Sequence, residues 1–483
     1  MEFSPAAYRK DQKLLKTVSK IAKKRKVKLY LVGGYLRDIL LKREKENLDI
    51  DFCLKRGAIN FARYVAREIK AGFVVLDRVH GCARLVKRVG DKVYTLDFTD
   101  FRGKTLKDDL LHRDFTINAF CAELDKALKG KKPDDLFIDP YEGRKDLATQ
   151  TIRLVNKKGF DEDPLRILRA FSLSAIFGFK IDRETLKLIR LKHKKLSDVS
   201  FERIRDELFK ILERPNSFEY LAQLDKIKIL KTIIPEIEVM RGVKQGPYHH
   251  LDVWQHTLET IRQLELLIAE LKNSQEIQSY LNEFISTNRR RYALIKLGAL
   301  LHDIGKPAAL RHEDGKTKFH GHEKIGLEIT KNIVARLKLS NDELDSLEKM
   351  VLWHLRPGYL ADNEEITPKA IFRYFRDTQE EGVSILLISL ADQRATKGPL
   401  TSRQSRIHHE KVVLDLIKEY FKRKKEKKLP RLITGDDLIT QFKLEASPLI
   451  GKILKELEEL QAIGRIKTKK EALLAAQKLI PKK

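Results

Sequence analysis

The stretch LVGGYLRDILLKREKENLDIDF, from Leu31 to Phe52, limits what this chain can fold into more than any other. An aliphatic run stops at two glycines. An amphipathic segment follows, and two aspartates then stand one residue apart in an apolar frame. The order reads strand, glycine turn, helix, strand. On a strand, Asp49 and Asp51 point to the same face. Neighbouring carboxylates repel, and burying them unpaired is costly. A divalent cation resolves the conflict, since Mg2+ takes hard oxygen ligands and usually shares them with phosphates. Gly33 and Gly34, ahead of a helix starting near Tyr35, let backbone N–H groups and a helix N-terminus approach a phosphate. Arg37 and Asp38 follow on the first turn. A lone GG is a weak signal, and a lone DxD is usually a solvated strand edge; the two in this order are much rarer by chance.

The rest of the chain sets the scale. Its 483 residues suggest three or four domains, and 42% hydrophobic content supports several cores. Basic residues exceed acidic ones by 28. That surplus points to a polyanion, nucleic acid first, with a lysine-rich or heat-adapted surface as the plain alternative. Cys53, Cys82 and Cys121 form no CxxC pair and read as core residues in a reducing compartment. The N-terminus lacks the apolar core of a signal peptide, and no run reaches the ~18 apolar residues of a membrane span. The expected location is the cytoplasm, with no membrane partner.

Strand-like runs (KLYLVGG, LDIDFCL, GFVVLD, CARLVKRVG, VYTLDFT) are confined to residues 1–150, and helical spacing takes over beyond them. Ser200 is a plausible N-cap for FERIRDEL. RGVKQGPYHH, 241–250, reads as a boundary, and 272–291 as a loop or hairpin. The basic run 422–431 introduces a small helical tail. The expected domains are 1–150, 151–240, 241–400 and 401–483.

LVGGYLRDILL…LDIDF resembles the signature of the class II tRNA nucleotidyltransferase and bacterial poly(A) polymerase family. HRDFTINA (112–119), DPYEGRKDL (139–147), EDPLRILRA (162–170) and SFERIRDEL (200–208) resemble its further motifs in order. LPRLITGDDLI and IGRIKTKKEALLAAQKLI resemble the tail of bacterial tRNA enzymes. The resemblance implies an α+β architecture: a polymerase β-like nucleotidyltransferase head with a short mixed sheet, then all-α neck, HD and tail domains. It implies attack of an RNA 3′-hydroxyl on the α-phosphate of CTP or ATP, with two metal ions flanking the reacting oxygens. Asp49 and Asp51 would hold Mg2+, and Asp97 stands where the family often has a third acidic residue. Gly33, Gly34 and Arg37 would handle the triphosphate. Arg113, Asp114 and Asn118 would contact ribose and phosphate; His112 replaces the family's usual arginine.

Glu162, Asp163, Arg166 and Arg169, at i, i+1, i+4 and i+7, would share one side of a single helix. Read plainly, they are a surface ion-pair set contributing ~0–1 kcal/mol. Read as a template, Asp163 accepts from the amino group of cytosine or adenine, and Arg166 donates to the ring nitrogen, with Glu162 orienting Arg166. Uracil and guanine present a carbonyl instead, and an unpaired buried polar group costs ~1–3 kcal/mol. The helical remainder suits recognition of tRNA by shape, with the lysines at 422–428 and near the C-terminus as phosphate contacts.

A second constellation follows. His256, His302, Asp303 and Asp392 resemble the ligands of HD-type phosphohydrolases. His322 and His354 match the extra histidines of members that hold two metals. Imidazole with carboxylate suits Mn2+, Ni2+ or Fe2+, and a metal-acidified water can attack a phosphoester. The expectation is a working site whose substrate stays open, damaged RNA 3′ ends being the favoured candidate. Between Arg102 and His112 lie only nine residues, where full CCA-adding relatives commonly carry a longer flexible segment. C addition is therefore expected, and the terminal A stays open. The alternatives are a poly(A) polymerase, which the tail motifs oppose, and a metal phosphohydrolase with an inactive head, which the intact acidic pair opposes.

Overall fold

The computed structural model describes residues 12–43, 47–90, 92–129, 136–313, 315–426 and 430–481. Lys427 and Lys428 of the basic run, and Lys482 and Lys483 of the C-terminal lysines, lie outside the described residues. The chain divides into two compact units. One runs up to Ile211 and includes Lys226–Thr232; the other comprises Leu212–Asp225 and everything from Ile233.

The first unit is built on a seven-stranded sheet. Its strands are β1 (Tyr30–Val32), β2 (Leu48–Leu54), β3 (Gly72–Asp77), β4 (Cys82–Val89), β5 (Lys92–Asp100), β6 (Cys121–Glu123) and β7 (Phe137–Ile138), in the order β3-β4-β5-β2-β1-β6-β7. Only β2 and β5 pair in parallel; the other neighbours are antiparallel. Strand alternation decides the layers. Ile50, Phe52 and Leu54 of β2, Leu96 and Phe98 of β5 and Leu85 of β4 are buried, and the helix Ala58–Ile69 covers this side with Phe61, Ala62 and Val65. Phe52 stacks on Phe98 at 4.8 Å and Phe61 meets Phe98 edge-on at 5.6 Å. Each such side chain contributes about 1.5–3 kcal/mol. The other face is left with Asp49, Asp51 and Asp97.

Five strand-like runs of the sequence fall on β1 to β5. The sheet also holds β6 and β7, which the sequence reading did not single out. Strands do not vanish after residue 151 either: Thr151–Ile152 pairs with Lys180–Ile181, and two hairpins follow later. The stretch 272–291 holds a helix, Gln275–Asn282, before the hairpin of Phe284–Ser286 with Arg289–Arg290.

One helical expectation is corrected. Glu162, Asp163, Arg166 and Arg169 do not lie on one helix. A short turn, α1 (Gly159–Glu162), ends before Asp163, which is extended (φ −149°, ψ 98°), and α2 (Arg166–Phe177) begins after Pro164. Proline excludes the preceding residue from the helical region, so the break falls at Asp163. The helix α3 (Phe201–Leu212) starts directly after Ser200.

The second unit is helical. In it α4 (Val253–Glu270) packs on α5 (Arg291–Leu301) and α9 (Gly382–Ala395), while α6 (His322–Leu337) packs on α7 (Asn341–Trp353). Val253, Leu264, Leu297, Leu347, Ile385 and Leu387 are fully buried among them. The helix α8 (Pro368–Thr378) contacts α10 (Pro448–Ala462), which shares a separate apolar cluster with Leu438, Ile466, Ala472 and Ala476. Among the described residues no helix is long and apolar enough to cross a membrane.

Candidate active site and metal centre

The turn between β1 and its following helix has no room for a side chain. Gly33 has φ +73°, and a Cβ there would lie 2.8 Å from Asp51 Oδ2 and 3.4 Å from Arg113 Nη1. Gly33 thus brings backbone against Asp51, while Gly34 faces the Arg37 guanidinium. Asp49 is exposed and Asp51 half-buried. Neither accepts a hydrogen bond or ion pair from the described residues. Burial pushes the Asp51 carboxyl up; Asp97 and Asp49 push the same way, while Arg113 and Arg169 oppose them. A carboxylate so placed gains most from a cation. Asp97 stands beside Asp51 across the β2–β5 pairing, with both oxygens held by Arg84 at 2.8 Å.

These carboxylates open into a cavity of about 1360 Å³, and every head and neck residue expected to hold metal or nucleotide lines it. Hydrogen bonds and an ion pair tie five of the lining residues into one network. Arg37 donates through Nε (3.0 Å) and Nη2 (2.9 Å) to Asp38, and through Nη1 to Asn118 at 2.5 Å. Asn118 donates to Asp114 Oδ1 at 3.0 Å, and Arg169 Nε sits 2.7 Å from Asp114 Oδ2. Burial works to raise the Asp114 carboxyl, but Arg169 and the Asn118 and Phe115 hydrogen bonds hold it low. Arg37, buried and doubly engaged, supports the cavity wall from inside.

The break at Asp163 sets the far wall. Asp163 accepts from Leu165 N at 3.2 Å through Oδ1 and from Arg203 at 2.8 Å through Oδ2. Arg166 donates to His112 O at 2.5 Å and to Gly159 O at 3.4 Å, and Glu162 lies 3.6 Å away. An acceptor and a fork-shaped donor are therefore fixed near each other in the chain, Asp163 by Leu165 N and the Arg203 side chain and Arg166 by main-chain carbonyls. Sequence reading missed several supports. Arg203 lies within the quoted SFERIRDEL. Glu207, in the same motif, is buried and takes Ser172 and Arg169. Asp109 is buried and accepts from Arg102 N at 3.1 Å and Arg113 at 3.4 Å.

In the second unit, four buried imidazoles face two carboxylates. His256, His302 and Asp392 form one group whose ligand atoms lie within 4.8 Å of one another, and Asp303, His322 and His354 form another. Nδ1 of His302, His322 and His354 lies 2.8, 2.8 and 2.7 Å from the carbonyls of Ala299, Phe319 and Val351. Those bonds fix Nδ1 as the donor and turn the Nε2 lone pairs inward, the arrangement that orients metal-binding histidines. His302 Nε2 and both oxygens of Asp303 are buried and make no well-aligned hydrogen bond, though they converge closely: Asp303 Oδ2 lies 3.2 Å from His302 Nε2, and Oδ1 lies 3.4 Å from His322 Nε2. Imidazole nitrogens and carboxylate oxygens that converge in this way, with their Nδ1 sides already held by main chain, offer lone pairs to a cation. The donor set fits a divalent metal. Asp303 Oδ2 also lies 2.6 Å from Lys306, which donates to Gln245 at 2.7 Å. Burial works to raise the Asp303 carboxyl, and His302 and Lys306 hold it well below the ordinary range.

A mixed sheet presenting paired carboxylates to a large cavity, in a chain whose second unit holds a buried HD cluster, defines a class: the nucleotidyltransferases joined to an HD module, both dependent on divalent metal. Known proteins agree. Residues 29–153 match the model of the poly A polymerase head domain, 178–240 the probable RNA and SrmB-binding site of polymerase A, and 253–397 the HD domain. An A-adding tRNA nucleotidyltransferase of Deinococcus radiodurans is 29% identical over 93% of this chain and 94% of its own. A CC-adding enzyme of Thermus thermophilus is 29% identical over 91% of each. The multifunctional CCA protein of Neisseria gonorrhoeae is 30% identical over 68% of this chain and 73% of its own. A Thermotoga maritima CCA-adding enzyme solved with tRNA shares the fold, with a TM-score of 0.64 at 21% identity over 99% of this chain and 98% of its own. The chain belongs to the tRNA nucleotidyltransferase and poly(A) polymerase family.

Proposed function

We propose that this protein adds nucleotides to the 3′ end of tRNA, forming a phosphodiester with the RNA 3′-hydroxyl and releasing pyrophosphate from CTP or ATP. The observation that carries this is the shared cavity: Asp49 and Asp51 at one wall, Asp163 and Arg166 at another. Mg2+ held by Asp49 and Asp51 would supply charge stabilisation of the reacting oxygens. The protein does the rest. Gly33 admits the backbone against the acidic pair, and Asp163 with Arg166 selects a base that offers an amino donor beside a ring acceptor. Free cysteines suit a reducing cytoplasm.

C addition is the favoured outcome. The nine residues after Arg102 fold into a turn and a short helix, Leu106–Leu111, closed by a Thr105–Asp108 capping box. With Asp109 fastened to Arg102 and Arg113, this segment has little freedom to re-aim the template from C to A. tRNAs ending before CCA, after C and after CC, each given labelled CTP or ATP, decide the matter. C without A establishes the CC-adding form, C on the shorter tRNAs together with A on the CC-ended tRNA establishes full addition, and A on the CC-ended tRNA without any C establishes an A-adding form. Long A-tracts on unstructured RNA would overturn the tRNA reading in favour of a polymerase.

The HD unit is read as a phosphohydrolase using a transition metal such as Mn2+ or Ni2+, bound by His256, His302, Asp303 and Asp392, with His322 and His354 able to hold a second ion. Damaged RNA 3′ ends are the proposed substrate. Elemental analysis of the purified protein, with and without His302→Ala, tests the metal.

A further inference from the structure

Asp97 differs from its neighbours on the catalytic face. In the parallel pairing of β2 with β5 it lies beside Asp51, and in the antiparallel pairing of β5 with β4 Arg84 lies beside it. Paired positions share a face, so Asp51, Asp97 and Arg84 form one row across the sheet. Arg84 Nε lies 2.8 Å from Asp97 Oδ1 and Nη2 lies 2.8 Å from Oδ2. The fork takes both oxygens, the strongest geometry available to this pair. Asp49 and Asp51 take no such partner among the described residues. The next residue in the row, Val74 on β3, is apolar and exposed, so it offers Arg84 no rival acceptor. The Arg84 side chain is 43% exposed and that of Asp97 18%; the guanidinium can therefore leave for solvent while the carboxylate stays.

We propose that Arg84 is a stand-in cation for Asp97. It neutralises this carboxylate while no ion is bound, and it releases Asp97 when a divalent ion is shared between Asp97 and Asp51. Arg84 thereby lowers metal affinity in the nucleotide-free protein. It acts through Asp97 and is a positioning residue. The proposal rests on the reading of Asp49 and Asp51 as the metal-holding pair.

Mn2+ binding to the full chain, followed by electron paramagnetic resonance without nucleotide or RNA, tests both layers. The class of sites lost in Asp51→Asn belongs to the head and separates it from the HD unit. Arg84→Gln is expected to tighten that class about fivefold, the worth of an exposed ion pair. Arg84→Lys, which keeps the charge without the fork, should fall between. In an Asp97→Asn background, Arg84→Gln should change nothing. An Arg84→Gln protein that binds Mn2+ within twofold of the parent, or more weakly, overturns the proposal, and so does a gain that survives Asp97→Asn. If Asp51→Asn loses no sites at all, the underlying metal-pair reading fails instead. Should Arg84→Gln not fold, Arg84→Lys decides by the same comparison.

Discussion

At single residues, the site is a matter of a few tenths of an ångström. Gly33→Ala would bring a methyl group to 2.8 Å from Asp51 Oδ2 at a backbone φ of +73°. With ψ at −144° the residue lies outside the left-handed helical region, and the backbone strain costs about 1–3 kcal/mol, which a chain of this size tolerates. The displaced carboxylate is the larger loss, since misplacing a reacting group by about 1 Å costs on the order of 100-fold. Nucleotide incorporation should therefore fall by about that factor while thermal unfolding moves only a few degrees. Arg203→Ala makes a different prediction. It frees Asp163 Oδ2 from its 2.8 Å partner, so the template loosens and the acidic pair is untouched. The kcat/KM preference for CTP over UTP should drop about 5- to 10-fold, within the range set by one unpaired polar group. An unchanged preference would place base selection elsewhere.

At the level of elements, what could be read in advance follows from how local each signal is. Alternation in LDIDF places Ile50 and Phe52 inward and Asp49 and Asp51 outward, so β2 and its chemistry were readable from five letters. Strands of two or three residues such as β6 and β7 carry no period to read. The single-helix reading of Glu162 to Arg169 failed although its correction was in view: Pro164 forbids helix at Asp163. The partners of Asp97 and Asp163, namely Arg84 and Arg203, come from other strands and helices, and spacing cannot announce them. The same holds for Glu459 on α10. Its carboxylate receives Arg373 at 2.8 Å, Arg376 at 2.6 Å and Lys369 at 3.1 Å, all from α8. Burial works to raise its carboxyl, but Arg373, Lys369 and Arg376 hold it at about 2. A lowered carboxyl stabilises the fold above its unfolded value, near 4.5, and that contribution disappears as pH falls from there toward 2. Glu459→Gln should cost about 1.5–3 kcal/mol at pH 7, and the gap in unfolding free energy from the parent should close as the titration is carried to pH 3 and below.

Across the whole molecule, the two chemistries draw on residues of different units. The acidic pair and the residues proposed to select the base belong to the first unit, and all six proposed HD ligands to the second. They also use different donors: oxygen alone in the head, imidazole with carboxylate in the HD unit. Hard and soft preferences therefore separate them. Asp51→Asn should abolish nucleotide incorporation and leave metal-dependent phosphoester hydrolysis intact. His302→Ala should do the reverse, because it removes a proposed ligand from the group it forms with His256 and Asp392. Chelation followed by return of Mg2+ alone should restore incorporation first, with hydrolysis waiting for Mn2+ or Ni2+. If either substitution abolishes both activities in protein that still unfolds cooperatively, the units share one chemistry, and the division argued from their ligands is wrong.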